Sequence, residues 1–297
     1  MTYKDGFICL DSGANKNRGM ETGDGRTHIV SPLMRQSLIN KEVIASTQTD
    51  KELSVLPDVT LVSIGGRSIF DRGKEAVLPL VDEIASIRGQ HRMVMGVGGG
   101  TRVRHTVAIA MDLGLPTGGM AQLVGAMEEA NAVFLNVLLA KHGSIVMQRE
   151  HFWELPLYLN NGMLPIVISV PPYHFWEPPP EKGPLPAHGS DFGLFIYAEV
   201  LGMQKCIFVK DEDGLYTADP KKDKSAKHIS RISLKELNAS MPQEMILDQM
   251  LFEAWEDARH VKKVQIVNGL KQGQLKAALA GDESVGTLIV KEEGGAQ

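Results

Sequence analysis

From Val59 onward, short apolar runs alternate with stretches whose apolar residues recur every three or four positions. Val59–Ile64 is an apolar run that stops at Gly65-Gly66. Gly73–Arg88 then sets Val77, Leu80, Val81, Ile84 and Ile87 at helical spacing. Arg92–Met95 reads as a second strand ending at glycine, and Thr101–Leu113 and Ala121–His142 read as helices. Strands are predicted at Ile145–Gln148, Leu164–Val170, Cys206–Val209, Val264–Val267 and Thr287–Val290, and helices at Ser190–Leu201, Ile246–His260 and Gln274–Ala280. Strands alternating with helices predict an α/β fold with a mainly parallel sheet covered on both faces.

Three stretches stand outside that rhythm. Residues 1–55 are polar, rich in Gly, Asn, Thr, Asp and Lys, and have no sustained period beyond a short helix predicted near Pro32–Asn40. That composition fits a disordered arm and equally an arm that orders against a neighbouring subunit. Residues 56–297 form the predicted domain. Within it, 171–189 is crowded with proline and carries Tyr173, His174, Phe175, Trp176 and His188, which predicts a stiff, extended loop. Asp211–Ser230 is polar and turn-rich, with Asp213-Gly214 as a hairpin signal.

A net charge of −5 and a pI near 6.0 make duplex nucleic acid a poor partner. No run approaches the roughly 18 apolar residues of a membrane span, and the apolar run Phe7–Leu10 is too short for a secretory leader. The two cysteines, Cys9 and Cys206, lie far apart, which fits a reduced, cytoplasmic compartment better than a disulfide framework.

The chemistry concentrates at strand ends. Gly65 and Gly66 close the first strand, and Gly98, Gly99 and Gly100 sit between the second strand and a helix. Neither loop matches the dinucleotide or P-loop spacing. Glycines before a helix N-terminus still make an anion cradle, to which Arg102 would add a charged donor. Either loop alone also reads as a tight turn. Two at one end of a parallel sheet point to a nucleotide's phosphates. Lys210–Pro220, containing Asp213, Gly214, Tyr216 and Asp219, is either a magnesium-holding and base-framing loop or a solvated acidic hairpin. Asp191 is either the cap of its helix or a group that holds magnesium beside the phosphates. The chain's 9 histidines show no zinc-type spacing.

Taken in order, these residues resemble the amino acid kinase superfamily, its uridylate kinase branch in particular, from about Val59 to Val290. The most specific pieces are Asp213-Gly214-Leu215-Tyr216-Thr217-Ala218-Asp219-Pro220 and Gly286-Thr287-Leu288-Ile289. The resemblance implies a three-layer α/β/α sandwich, Mg2+ and ATP as ligands, and Asp191 at the catalytic aspartate. Within that branch the chain is similar to the bacterial molybdenum storage proteins, especially their beta subunits. Ile64-Gly65-Gly66 with Asp71-Arg72-Gly73, Gly100-Thr101-Arg102, Pro171-Pro172-Tyr173, Phe208–Gly214 and Val267-Asn268-Gly269-Leu270 carry this likeness. It implies a hexameric cage of homologous subunits that uses ATP to pack molybdate or tungstate as oxide clusters, with His174 in contact with the metal oxide.

Two departures bear on activity. The family's strand-one lysine is Ser63 here, which predicts weak phosphoryl transfer by removing a cation from the transferring phosphate. An arginine of the storage family is replaced by Gly189, and Met127–Asn131 differs from the family's glutamine-containing helix. Three functions follow: an ATP-binding storage subunit, a uridylate-type nucleotide kinase, or a non-catalytic subunit completing a cage.

Overall fold

The computed structural model describes residues 54–169, 189–240 and 245–292, with the short segments 2–4, 7–9, 20–21 and 27–28. The chain divides into two compact units, Met1–Leu53 and Ser54–Gln297. In the first, Thr2–Lys4 pairs antiparallel with Phe7–Cys9, and Met20–Glu21 with Thr27–His28. The helix expected near Pro32–Asn40 lies outside the described residues.

The second unit is built on eight strands. In chain order its sheet strands are β1 (Thr60–Ile64), β2 (Met93–Val97), β3 (Ser144–Met147), β4 (Leu164–Val167), β5 (Lys205–Lys210), β8 (Arg231–Ser233), β9 (Lys263–Asn268) and β10 (Thr287–Val290). A two-stranded ladder, β6 (Leu215–Tyr216) with β7 (His228–Ile229), stands apart. The sheet order is β8-β10-β9-β5-β1-β2-β4-β3. All neighbours run parallel except β9 and β10. The helices are α1 (Lys74–Ile87), α2 (Gly100–Asp112), α3 (Thr117–Leu139), α4 (Leu155–Asn160), α5 (Ser190–Val200), α6 (Leu234–Ala239), α7 (Gln249–Asp257) and α8 (Gln274–Leu279).

Side chains alternate along a strand, so each central strand feeds both faces. Leu61, Val94, Cys206 and Phe208 join a core with Leu194, Phe195 and Trp255 from α5 and α7. Val62, Ile64, Met93, Met95 and Val209 join a second core with residues of α1, α3 and α8. These two cores make the three-layer α/β/α sandwich that the resemblance implied. Glu83 of α1 ties its own layer together by accepting from the amides of Gly273 and Lys276 at the start of α8, 2.9 and 2.7 Å.

Several boundaries differ from the sequence reading. The helix placed at Ala121–His142 begins at Thr117, because Pro116 sets the entry and Gly118 and Gly119 lie in the first turn. Including its 3-10 extension to His142, this helix holds an 18-residue stretch of mean hydropathy 1.4, so by length and composition one described helix could cross a bilayer. Here it packs on the sheet and buries Glu128 and Asn131. Asp213-Gly214 does not form a hairpin turn. It leads into β6, whose partner β7 lies across the longer connection 217–227. Gly214 has φ 132°, and a Cβ there would lie 2.1 Å from Thr287 Oγ1.

That buried hydroxyl accepts from the Leu215 amide at 2.7 Å and donates to the Ile229 carbonyl at 2.5 Å, fastening the ladder to the sheet. Thr287→Val keeps the shape and strands both backbone groups. A loss of about 1–3 kcal/mol in unfolding free energy is expected, checked by urea denaturation of the folded variant.

Candidate functional site

The carboxyl ends of the parallel strands gather four described connections, 65–73 after β1, 98–99 after β2, 211–214 after β5 and 269–273 after β9; the proline-rich loop expected after β4 lies outside the described residues. Ligands of open α/β sheets bind at this edge. Gly66 brings the first two connections into contact. A Cβ on it would lie 2.4 Å from both the Gly98 carbonyl oxygen and the Gly100 nitrogen. Glycine is therefore required at 66 for the loops to touch.

The loops divide their backbone donors. Gly65 N–H donates to the Val209 carbonyl at 2.9 Å and Gly98 N–H to the Ile64 carbonyl at 2.8 Å, so both are spent on the strand ends. Gly66, Gly99 and Gly100 N–H find no acceptor among the described residues. Asn131, fully buried on α3, donates from Nδ2 to the carbonyls of Gly98 and Gly99, 3.0 Å each. A trans peptide sets its C=O and N–H on opposite sides. By holding those two carbonyls, Asn131 turns the Gly99 and Gly100 amides away from α3. At the start of α2, Thr101 N–H donates to Asp71 Oδ2 at 2.5 Å, so an internal carboxylate already caps that helix.

Asp191 opens α5 and is buried. Lys210, at the end of β5, donates to its two oxygens at 3.0 and 2.7 Å. Burial pushes the Asp191 carboxyl above its ordinary range; Lys210 pulls it down, Asp248 pushes it up, and Ser63 pulls it down. Ser63 is fully buried, and its Oγ makes no hydrogen bond of normal geometry. Asp248 accepts from the Phe192 amide at 3.1 Å near the α5 N-terminus. A Cβ on Gly189 would lie 2.7 Å from the Asp248 carboxylate, so Asp248 takes space that a side chain at 189 would need. Glu128 lies beneath the glycine loop, one turn before Asn131 on α3. Burial, with Asp248 and Asp191 adding, pushes its carboxyl up to about 8, and its Oε2 has no hydrogen-bond partner.

The remaining sequence candidates are placed as follows. Arg102 sets its guanidinium 4.7 Å over the Phe134 ring and 5.6 Å over the Phe70 ring. Asp213 binds Lys271 Nζ at 2.7 Å and Asn268 Nδ2 at 3.0 Å, latching the loop after β5 to the loop after β9. Arg72 and Asp211 join the loop after β1 to the loop after β5 at 2.5 Å. Tyr216 packs edge-on against His228, with ring centroids 5.3 Å apart. Asp219 accepts from the Lys221 amide at 2.9 Å, in the turn that Pro220 enters. His174 lies outside the described residues. Among the described residues, no three His, Cys, Asp or Glu side chains converge as a metal site. Sequence reasoning missed Asn131, Glu128 and Asp248. The signal was there for the first two, since Glu128 and Asn131, three apart, share a face of a helix with Ala132 and Leu135 that the sheet buries.

A protonated Glu128 suits its site, and an ionised one does not. Its folded pKa, about 8, exceeds the unfolded value of 4.5, so the native state binds the extra proton between those values. Its contribution to stability is then present at low pH and is lost progressively as pH rises from 4.5 to about 8. Glu128→Gln keeps the uncharged shape. Its stability advantage over wild type is expected to grow across that window and to level off above it, as measured by thermal melts in matched buffers.

Comparisons with known proteins identify the family and the fold. Residues 58–268 match the amino acid kinase family. The chain is 44% identical over 257 residues to the molybdenum storage protein subunit beta of Azotobacter vinelandii, covering 86% of this chain and 95% of that protein. It is 28% identical over 206 residues to the uridylate kinase of Hyperthermus butylicus, covering 67% of this chain and 83% of that one. The fold matches the uridylate kinase of Archaeoglobus fulgidus with a TM-score of 0.62 at 22% identity, over 78% of this chain and 99% of that one. The UMP kinase of Bacillus anthracis matches with a TM-score of 0.63 at 19% identity, over 79% and 96%. The chain belongs to the amino acid kinase family and, within it, to the molybdenum storage proteins.

Proposed function

We propose that this chain is a cytoplasmic, ATP-binding subunit of a hexameric cage that stores molybdate or tungstate as oxide clusters. The observation that carries this reading is 44% identity to a molybdenum storage subunit across 95% of that protein's length. The site fits a nucleotide's phosphates. The amides of Gly66, Gly99 and Gly100 would hold them, since no protein group among the described residues takes those donors. Asp191 would meet Mg2+, most of whose remaining ligands would be phosphate oxygens and water, as is usual for this ion. When bound, ATP supplies the phosphoryl chemistry that drives packing of the oxide.

The cage reading draws support from α3. Val133, Phe134 and Val137 are exposed by 45%, 53% and 68%, and they line a shallow, mostly apolar depression with Ala126, Glu129 and Ala130. Exposed apolar side chains grouped on one helix face are consistent with contact to homologous subunits. A uridylate-type kinase is the second reading, favoured by the 28% identity to the Hyperthermus butylicus enzyme. Phosphate transfer from ATP to UMP at rates typical of kinases, roughly 1–100 per second, would support it over storage.

Two measurements follow. Purified protein loaded with molybdate or tungstate and ATP, then desalted, is expected to retain metal, and His174→Ala is expected to retain less. Equal retention would remove His174 from the site, and no retention by wild type would remove storage by this chain alone. Val137→Glu places a charge on the apolar face of α3 and is expected to shift a hexamer to smaller species in sedimentation velocity. An unchanged mass would move the contact elsewhere.

A further inference from the structure

We propose that Lys210 supplies the cation for the terminal phosphate of the bound nucleotide, with Asp191 as the counter-ion that holds it at the glycine loops. This assignment rests on the nucleotide-binding reading above and names the charge in that site.

The register of the sheet carries the first step. Ser63 of β1 pairs with Phe208 of β5. Registered residues of parallel strands share a face, and so do residues two apart on one strand. Lys210 therefore emerges on the same face as Ser63, toward α5, and two residues nearer the strand ends. The Lys210 stem crosses the first glycine of the β1 loop, since a Cβ on Gly65 would lie 3.3 Å from its Cδ. Ser68 Oγ and the Val209 carbonyl lie closer still to that Cβ, at 2.0 and 3.0 Å, so glycine at 65 is required first by its own loop and the lysine stem runs beside it.

The head group carries the second step. Lys210 Nζ reaches both Asp191 oxygens, and the two side chains are only 11% and 7% exposed. Taking two ions out of water is costly, and well-packed apolar residues commonly serve stability as well. The pair is thus an uneconomical way to fill space and a suitable way to hold an ammonium beside a bound anion. Ser63 shares that face of the sheet and is fully buried, its Oγ without a hydrogen-bond partner. A lysine extended from position 63 would therefore reach the same carboxylate that Lys210 reaches from β5. The charge missing from the first strand is present, delivered from its neighbour, and the weak transfer expected from Ser63 alone does not follow.

The test compares three proteins by titration calorimetry with ATP and with AMP, each with Mg2+ and with EDTA, so that loss of a magnesium ligand at Asp191 is separated from loss of the ammonium. Lys210→Met with Asp191→Asn removes both charges at similar volume and is expected to fold, because neither partner is left buried alone. Its affinity for ATP is expected to fall about 10- to 100-fold, the loss typical of one charged hydrogen bond, while AMP binds as before. Lys210→Ser with Ser63→Lys moves the ammonium back to the first strand and is expected to recover most of the ATP affinity. Wild-type ATP affinity in the neutral pair would overturn the assignment alone. So would a folded exchange variant as weak as the neutral pair. No ATP binding by wild type would overturn the nucleotide reading and this assignment with it.

Discussion

Gly66 and the Gly98–Gly100 segment touch backbone to backbone, and the site depends on that contact. With no Cβ between them, the ends of β1 and β2 stay as close above the sheet as they are within it. The amides left over then share one small volume with the buried Lys210–Asp191 pair. Any side chain at 66 would force the loops apart by pushing on peptide groups, which cannot rotate aside as a side chain can.

The second constraint comes from below. The described part of α3 is mostly apolar, and its buried Asn131 faces the glycine loop. Two hydrogen bonds from one amide fix the loop's peptide planes and so decide which way its donors point. Glu128 accompanies it in the same buried layer as an acid kept uncharged by its surroundings. The site is therefore rigid on one side and electrostatically loaded on the other, with Asp191, Asp248 and Lys210 at the start of α5 and the end of β5.

The fold was legible where burial was continuous. β1, β2, β5, β9 and β10 are runs of apolar residues bounded by glycine or polar turns, and parallel central strands write themselves that way. The short elements were not. β6, β7 and β8 have two or three residues each and are defined by partners far along the chain. The helix α6 was missed although Ser233 and Glu236 form a capping box at its start, a pattern visible in the sequence. At the site, the glycine loops announced themselves, but the division of their amides did not. Whether Gly98 N–H is free depends on Ile64, and what Lys210 pairs with depends on a residue in the first turn of a helix, 19 residues before it in sequence. Arg102 illustrates the same limit, since its place over Phe70 and Phe134 depends on how separate segments pack.

The two strands at the sheet's borders are brief, 3 residues in β8 and 4 in β3. A long, bare border offers unpaired amides and carbonyls on which another molecule can extend the sheet without limit. Here that route offers few hydrogen bonds, whereas α3 presents apolar side chains on a helix, where contact is bounded by shape. Borders clipped in this way work against open-ended growth of the sheet from copy to copy.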